Sequence, residues 1–184
     1  MSLLTPALVS RILEGYTLPA EGVHGLAHWA RVLENGRRLA ALTPAADLDV
    51  VELFAIFHDA RRVNEVVDWG HGGRGAALAR RLRDRYFTLD DRRFALLEQA
   101  CNEHTAGRTR AEPTVQVCWD ADRLDLLRVG TRPRPSLLCT EAARQPELLE
   151  WANARAGALQ TPGLIEHEWG LTFRGGGASH PSSG

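Results

Sequence analysis

The stretch that most constrains this 184-residue chain is Leu53-Phe54-Ala55-Ile56-Phe57-His58-Asp59. Val50, Val51, Leu53, Phe54, Ile56 and Phe57 cover every side of a helical wheel. A helix that is apolar all round is a buried one. Its end then carries two adjacent metal-capable side chains, His58 and Asp59, into the interior or onto the floor of a cleft. A carboxylate buried there is costly unless it is paired or ligates a cation. A His-Asp dipeptide alone is equally what an ordinary exposed helix end looks like, so its meaning depends on the rest of the chain.

The length fits one domain, large enough to bury a full core without staples. A formal net charge of -1 gives no global attraction to nucleic acid or to acidic membranes. The segment from Arg74 to Arg93 is arginine-rich, but Arg83, Asp84, Arg85, Asp90 and Asp91 alternate in sign and read as a solvated helix surface. Cys101, Cys118 and Cys139 form no Cys-x-x-Cys pair and leave one over, which suits a reducing cytoplasm rather than a disulfide framework. Residues 1–15 lack a basic region followed by a long apolar core, and no apolar run is long enough to span a bilayer. The expectation is a cytoplasmic chain with neither a membrane nor a nucleic-acid polymer as its partner.

Taken in order, residues 3–14 read as a short amphipathic helix, and 15–22 as a loop marked by Pro19. A helix follows from Val23 to about Leu42, ended by Thr43-Pro44. Asp47 is placed to cap the buried helix. Residues 61–75 read as a polar, glycine-rich loop holding His71, with a helix resuming at Gly75. Asp90 or Asp91 caps a helix in which Phe94, Leu97, Cys101 and His104 share a face. Residues 115–128 read as one apolar helix and 141–156 as the last. No internal repeat and no strand-like alternation stands out. The reading is all-α, one bundle of about six or seven helices over residues 1–160. A tail follows over 161–184, expected to be disordered from Gly175 to Gly184.

His24, His28, His58, His71 and His104 lie in the body of the domain, with Asp59, Asp120 and Asp122 in or beside apolar helices. Two buried histidines would be ordinary packing, but this many beside acids are hard to place without a cation. In order, these residues resemble the HD superfamily of metal-dependent phosphohydrolases, an all-α family named for its His-Asp pair. His28 in His-Trp-Ala-Arg-Val matches the family's first His, His58-Asp59 its pair, and Asp122 in Asp-Ala-Asp-Arg-Leu-Asp its distant acid. His71-Gly72-Gly73-Arg74-Gly75-Ala76 fits a further His segment with one extra Gly before it, and His104 a His ending the next helix. The resemblance covers residues 23–130.

It implies His28, His58, Asp59 and Asp122 as ligands of a divalent metal (Mn, Mg, Fe, Co, Ni or Zn), with Asp120 a supporting partner or salt bridge and Asp125 structural. His71 and His104 stand evenly between ligands of a second metal and groups serving the substrate and its water, one of them a candidate general acid. His24 reads as supporting or solvated, and His167 has no role. Ordering the loop glycines beside His71 is costly, but metal binding can outweigh that cost, so flexibility alone does not exclude a second metal. One firmly bound metal and a weaker or empty second position are still expected, with His71 and His104 mainly serving the phosphate and the attacking water.

The implied chemistry is hydrolysis of a nucleotide or other small phosphate ester by a metal-activated water. Arginine forks match phosphoryl oxygens. The candidates are Arg61 and Arg62, ranked first, then Arg74, Arg108 and Arg123. An HD-like di-iron oxygenase, cleaving C–C or C–P bonds with dioxygen, is the enzyme alternative. An idle nucleotide-binding regulatory module is the non-enzyme one. The intact ligand set speaks against the latter.

Overall fold

The computed structural model describes residues 2–172. Among these, nine α-helices form in the order α1 (Pro6–Leu13), α2 (Leu26–Ala41), α3 (Leu48–Phe57), α4 (His71–Leu82), α5 (Asp91–Glu103), α6 (Pro113–Arg123), α7 (Glu141–Arg144), α8 (Pro146–Gly157) and α9 (Leu164–His167). Two 3₁₀ turns, Leu126–Val129 and Pro135–Leu137, lie between α6 and α7, and no strand forms among the described residues. The all-α expectation holds, with more and shorter helices than expected. The expected disorder of 175–184 and residue His180 lie outside the described residues.

The centre is α3, which touches α1, α2, α4, α5 and α6. Every residue from Val50 to Phe57 is buried, as an all-round apolar helix requires. Its start is fixed by Asp47, whose side chain accepts from Val50 N while its own N–H donates to Thr114 Oγ1 at the start of α6. Arg93 on α5 donates to both Asp47 oxygens and to Asp49, tying a third helix to the same corner. Asp90, of the two candidates, is the cap of α5.

Several boundaries differ from expectation. The segment read as one helix from 115 to 128 stops at Arg123 and continues as a 3₁₀ turn. The last expected helix is split at Pro146, which has no N–H to continue α7 and instead opens α8. Residues 160–171 pack back onto α2. Ile165 and Trp169 are buried, Arg37 forks onto Glu168, and Arg31 Nη1 donates to Gln160 O. No described helix is long and apolar enough to cross a membrane.

Candidate metal centre

Helix ends from across the bundle meet at one point. His58 caps the C-terminus of α3 with Asp59 next to it, His104 caps α5, and Asp122 lies in the last turn of α6. The carbonyl ends of three helices therefore face inward, and their partial negative charge draws a cation. His28 comes from the first turn of α2, with His24 in the turn before it, and His71 is the first residue of α4. His24, His28, His58, Asp59, His71 and His104 are buried, while Asp122 keeps an edge towards solvent.

His71 corrects the sequence reading, which put it in a flexible loop. Helix α4 starts at His71 rather than Gly75. The glycines serve close approach instead of freedom. A Cβ on Gly72 would sit 2.1 Å from Cys101 O, and one on Gly75 2.2 Å from Phe57 O. Only glycine lets α4 press this closely on α5 and α3, which is what brings His71 beside His104 and Asp59.

The ring tautomers, assigned from hydrogen bonds, carry the chemistry. His28 Nδ1 donates to Asp125 Oδ2 (2.7 Å), and His58 Nδ1 to Phe54 O and Ala55 O (3.2 Å each). His104 Nδ1 donates to Cys101 O (2.7 Å) and His71 Nδ1 to Asp68 O. With each Nδ1 proton committed to an acceptor, each Nε2 is left with a lone pair whenever its ring is neutral. Yet His28 Nε2 and His58 Nε2 are 3.0 Å apart, and His71 Nε2 and His104 Nε2 2.8 Å apart. Facing lone pairs at that distance repel unless a proton or a cation sits between them.

Asp59 stands between the two pairs, one oxygen to each. Oδ2 lies 3.6 Å from His28 Nε2 and 3.9 Å from His58 Nε2, and Asp122 Oδ1 lies 3.5 Å and 3.8 Å from the same two atoms. Donors on ~2.1 Å bonds are ~3.0 Å apart at neighbouring octahedral corners and ~3.4 Å apart in a tetrahedron, so His28, His58 and Asp122 could hold one divalent ion, with Asp59 Oδ2 beside the two rings. Oδ1 lies 3.1 Å from His71 Nε2 and 3.8 Å from His104 Nε2. It is buried and accepts no hydrogen bond, an orphaned carboxylate oxygen that a cation would satisfy. His24 Nδ1 donates to Asp59 Oδ2 at 2.9 Å, which makes it a direct support of the carboxylate rather than a solvated group.

Burial pushes His58 down to about 4, against the opposing pull of Asp59 and Asp122. Burial, with Arg128 and His58, holds His28 well below its ordinary value. Burial alone would raise Asp59, but the surrounding rings of His58, His104, His24 and His71 outweigh it and keep it ionised. Burial opposes protonation of His104 too, yet Asp59 and Asp122 raise it above its ordinary value. For His28 and His58 beside ionised Asp59, these are the protonation states that metal binding needs, whereas on His104 a metal would have to displace a proton.

The supporting acids are exchanged relative to expectation. Asp120 neither touches the ligands nor forms a salt bridge. Its oxygens accept from Cys139 N, Thr140 N and Thr140 Oγ1, anchoring the chain before α7. Asp125, read as structural, is the acid that orients His28, and it is held by Arg31 Nε and Nη2 at 2.7 and 3.0 Å.

The arginines divide as well. Arg62 stands at the site, with Nη1 3.3 Å from His71 Nε2 and 3.6 Å from Asp59 Oδ1. Arg61 points away to Ile12 O, Arg74 is tied to Arg61 O and Asp68, and Arg108 pairs with Glu103. Arg123 is spent on Leu137 O and Arg108 O. Arg128, which sequence reasoning missed, lines the cavity above the cluster with Nη2 3.3 Å from His24 Nδ1. Its signal was the step of three in Asp122, Asp125 and Arg128, which share a side once the chain turns 3₁₀. The cavity, about 400 Å³, is bounded by His24, Asp59, Arg62, Glu65, Val66, His104, Thr105, Asp122, Leu126, Arg128 and Val129.

Comparisons with protein families, with curated proteins and with solved structures give no match. What the chain shows by itself is an all-helical domain whose buried His and Asp groups could hold metal ions.

Proposed function

We propose that this chain is a metal-dependent phosphohydrolase of the HD type, acting on a nucleotide or other small phosphate ester. The observation that carries the reading is the set of four Nε2 atoms turned towards the two oxygens of Asp59, beneath a cavity bearing two guanidinium groups. His28, His58 and Asp122 would hold the first divalent ion, with Asp59 reaching it from beside the two rings, and Asp59, His71 and His104 would hold a second. When bound, such ions supply a water acidified towards neutrality and positive charge for phosphoryl oxygens.

This chain's own residues do the remainder. Arg62 and Arg128 offer forks to the phosphoryl oxygens from two sides of Asp59. His24 steadies Asp59 through Nδ1 and turns Nε2 towards Glu65, 3.9 Å away. His71 or His104 can act as general acid only when the second position is empty, since Nε2 cannot bind a cation and carry a proton together.

The test is anaerobic release of phosphate or pyrophosphate from a panel of nucleotides and phosphate esters, with Mn, Mg, Fe, Co, Ni and Zn. Arg62→Ala should lower kcat/KM about 100-fold, and Arg61→Ala by only a few-fold. No turnover of any ester by metal-loaded protein would sink the reading. The oxygenase remains the second reading, favoured by one carboxylate set between two histidine-rich donor groups. Two equivalents of tightly bound iron, with oxygen consumed during turnover, would select it.

A further inference from the structure

The cavity has two unlike halves. Its floor is carboxylate, imidazole and guanidinium, but its rim carries Val66 and Val129, which are 82% and 45% exposed. Val66 belongs to a short run in which Val63, Val67 and Trp69 are exposed too. One exposed valine is ordinary, whereas four large apolar side chains within seven residues, beside a polar cavity, call for an occupant.

The run is built, not loose. Arg62 Nε donates to Asn64 O and Nη2 to Val66 O. Val66 N donates to Asn64 Oδ1, and Asn64 Nδ2 to Val67 O. Val63 N donates to Asp68 Oδ2, which also pairs with Arg74. The polar groups thus bond within the run and the apolar ones are left facing water. The same Arg62 that reaches Asp59 fixes the height of Val66 over the cavity.

Glu65 adds a second constraint. It lines the cavity beside Val66, and its Oε2 is buried without a hydrogen-bond partner. A carboxylate on that wall repels a second phosphate group.

We infer that the rim receives the organic half of the ligand, and that this half is an apolar or aromatic group carrying no further phosphate. The substrate class is then a monophosphorylated or phosphonate compound with a hydrophobic body, in preference to a nucleoside triphosphate or a small sugar phosphate. This rests on the phosphohydrolase reading for the position of the phosphoryl group, but not on turnover.

The test therefore uses binding to the metal-loaded full chain, measured by calorimetry with methylphosphonate, phenylphosphonate and methylenediphosphonate. Phenylphosphonate should bind at least about tenfold more tightly than methylphosphonate, and methylenediphosphonate more weakly than phenylphosphonate. In the Val66→Ser/Val129→Ser double variant, with metal content retained as the sign of folding, the phenyl-to-methyl ratio should fall at least about tenfold. Equal binding of the two monophosphonates overturns the inference and leaves the phosphohydrolase reading standing. Failure of all three to bind overturns both. A dimer in light scattering that the double variant dissolves assigns the valines to a second copy of the chain and also overturns the inference.

Discussion

Asp125 accepts the Nδ1 proton of His28 at 2.7 Å, and this bond decides that Nε2 is the nitrogen His28 turns to the site. The carboxylate is held in turn by Arg31, so the ring has little freedom to rotate or to change tautomer. Asp125→Asn keeps the shape but removes the charge and offers an amide that can face Nδ1 as a donor. Metal affinity should fall about 10–100-fold, measured by competition with a chelator. Asp122→Asn should fall further, since it removes a donor atom. Asp120→Asn should leave metal affinity unchanged and lower the melting temperature, because its oxygens serve Cys139 and Thr140. Equal effects of Asp120→Asn and Asp125→Asn on metal affinity would refute this division.

The two donor sets should not bind equally. The first set, His28, His58 and Asp122, has no guanidinium against its ring nitrogens, whereas Arg62 Nη1 stands 3.3 Å from His71 Nε2 in the second. Like charges about 4 Å apart cost on the order of 4 kcal/mol at an effective dielectric constant near 20. One firm and one weaker metal are therefore predicted, with the charge of Arg62 as the expected cause. Arg62→Met should tighten the second ion at least tenfold, seen as a rise from about one to about two equivalents of Mn after dialysis. A stoichiometry unmoved by this substitution would exclude Arg62 as the cause.

The apolar surround of His58 and Asp59 was legible from residue types alone, because burial on every side needs no knowledge of partners. The exchange of Asp120 with Asp125 was not. Both precede apolar residues, and only the change from α-helix to 3₁₀ turn after Arg123 rotates Asp125 towards His28. Arg128 was missed for the same reason. Arg61 and Arg62 are adjacent and chemically identical, and the chain direction after Asp59 alone sends one inward and the other to Ile12 O.

Gly72 and Gly73 make a paired test of the helix contact that sets His71. A methyl at Gly72 meets the Cys101 carbonyl, which is backbone and cannot step aside, while at Gly73 it meets the Asn102 side-chain oxygen at 3.3 Å, which can. Gly72→Ala should separate α4 from α5, lose the second metal position and destabilise by roughly 1–3 kcal/mol. Gly73→Ala should be neutral, or stabilising by up to about 1 kcal/mol, through helix propensity. Thermal melts and metal titration of both variants check this, and a Gly72→Ala protein with full second-site affinity would contradict it.

The metal-free protein should show a stability maximum near pH 6.5. His58 is held down to about 4 in the folded chain by burial, and His28 is also held low. Between about 4 and 6.5 the unfolded chain binds protons that these buried rings refuse, so unfolding takes up protons and stability falls as pH falls. For His58 the full effect is on the order of 3 kcal/mol, or roughly 5–10 °C in Tm for a chain of this size. His104 has the opposite sign. Its folded form holds a proton above the ordinary range through Asp59 and Asp122, so its contribution is complete below pH 6.5 and fades as pH rises beyond it. His58→Asn should flatten the acid limb and leave the alkaline one, and His104→Asn should do the reverse. Metal should remove the alkaline limb, because a cation on His104 Nε2 replaces the proton, so loaded protein gains stability as pH rises through this range. Calorimetric Tm from pH 4 to 8, with and without Mn, decides it. An acid limb unchanged in His58→Asn would show that His58 is not the group refusing the proton.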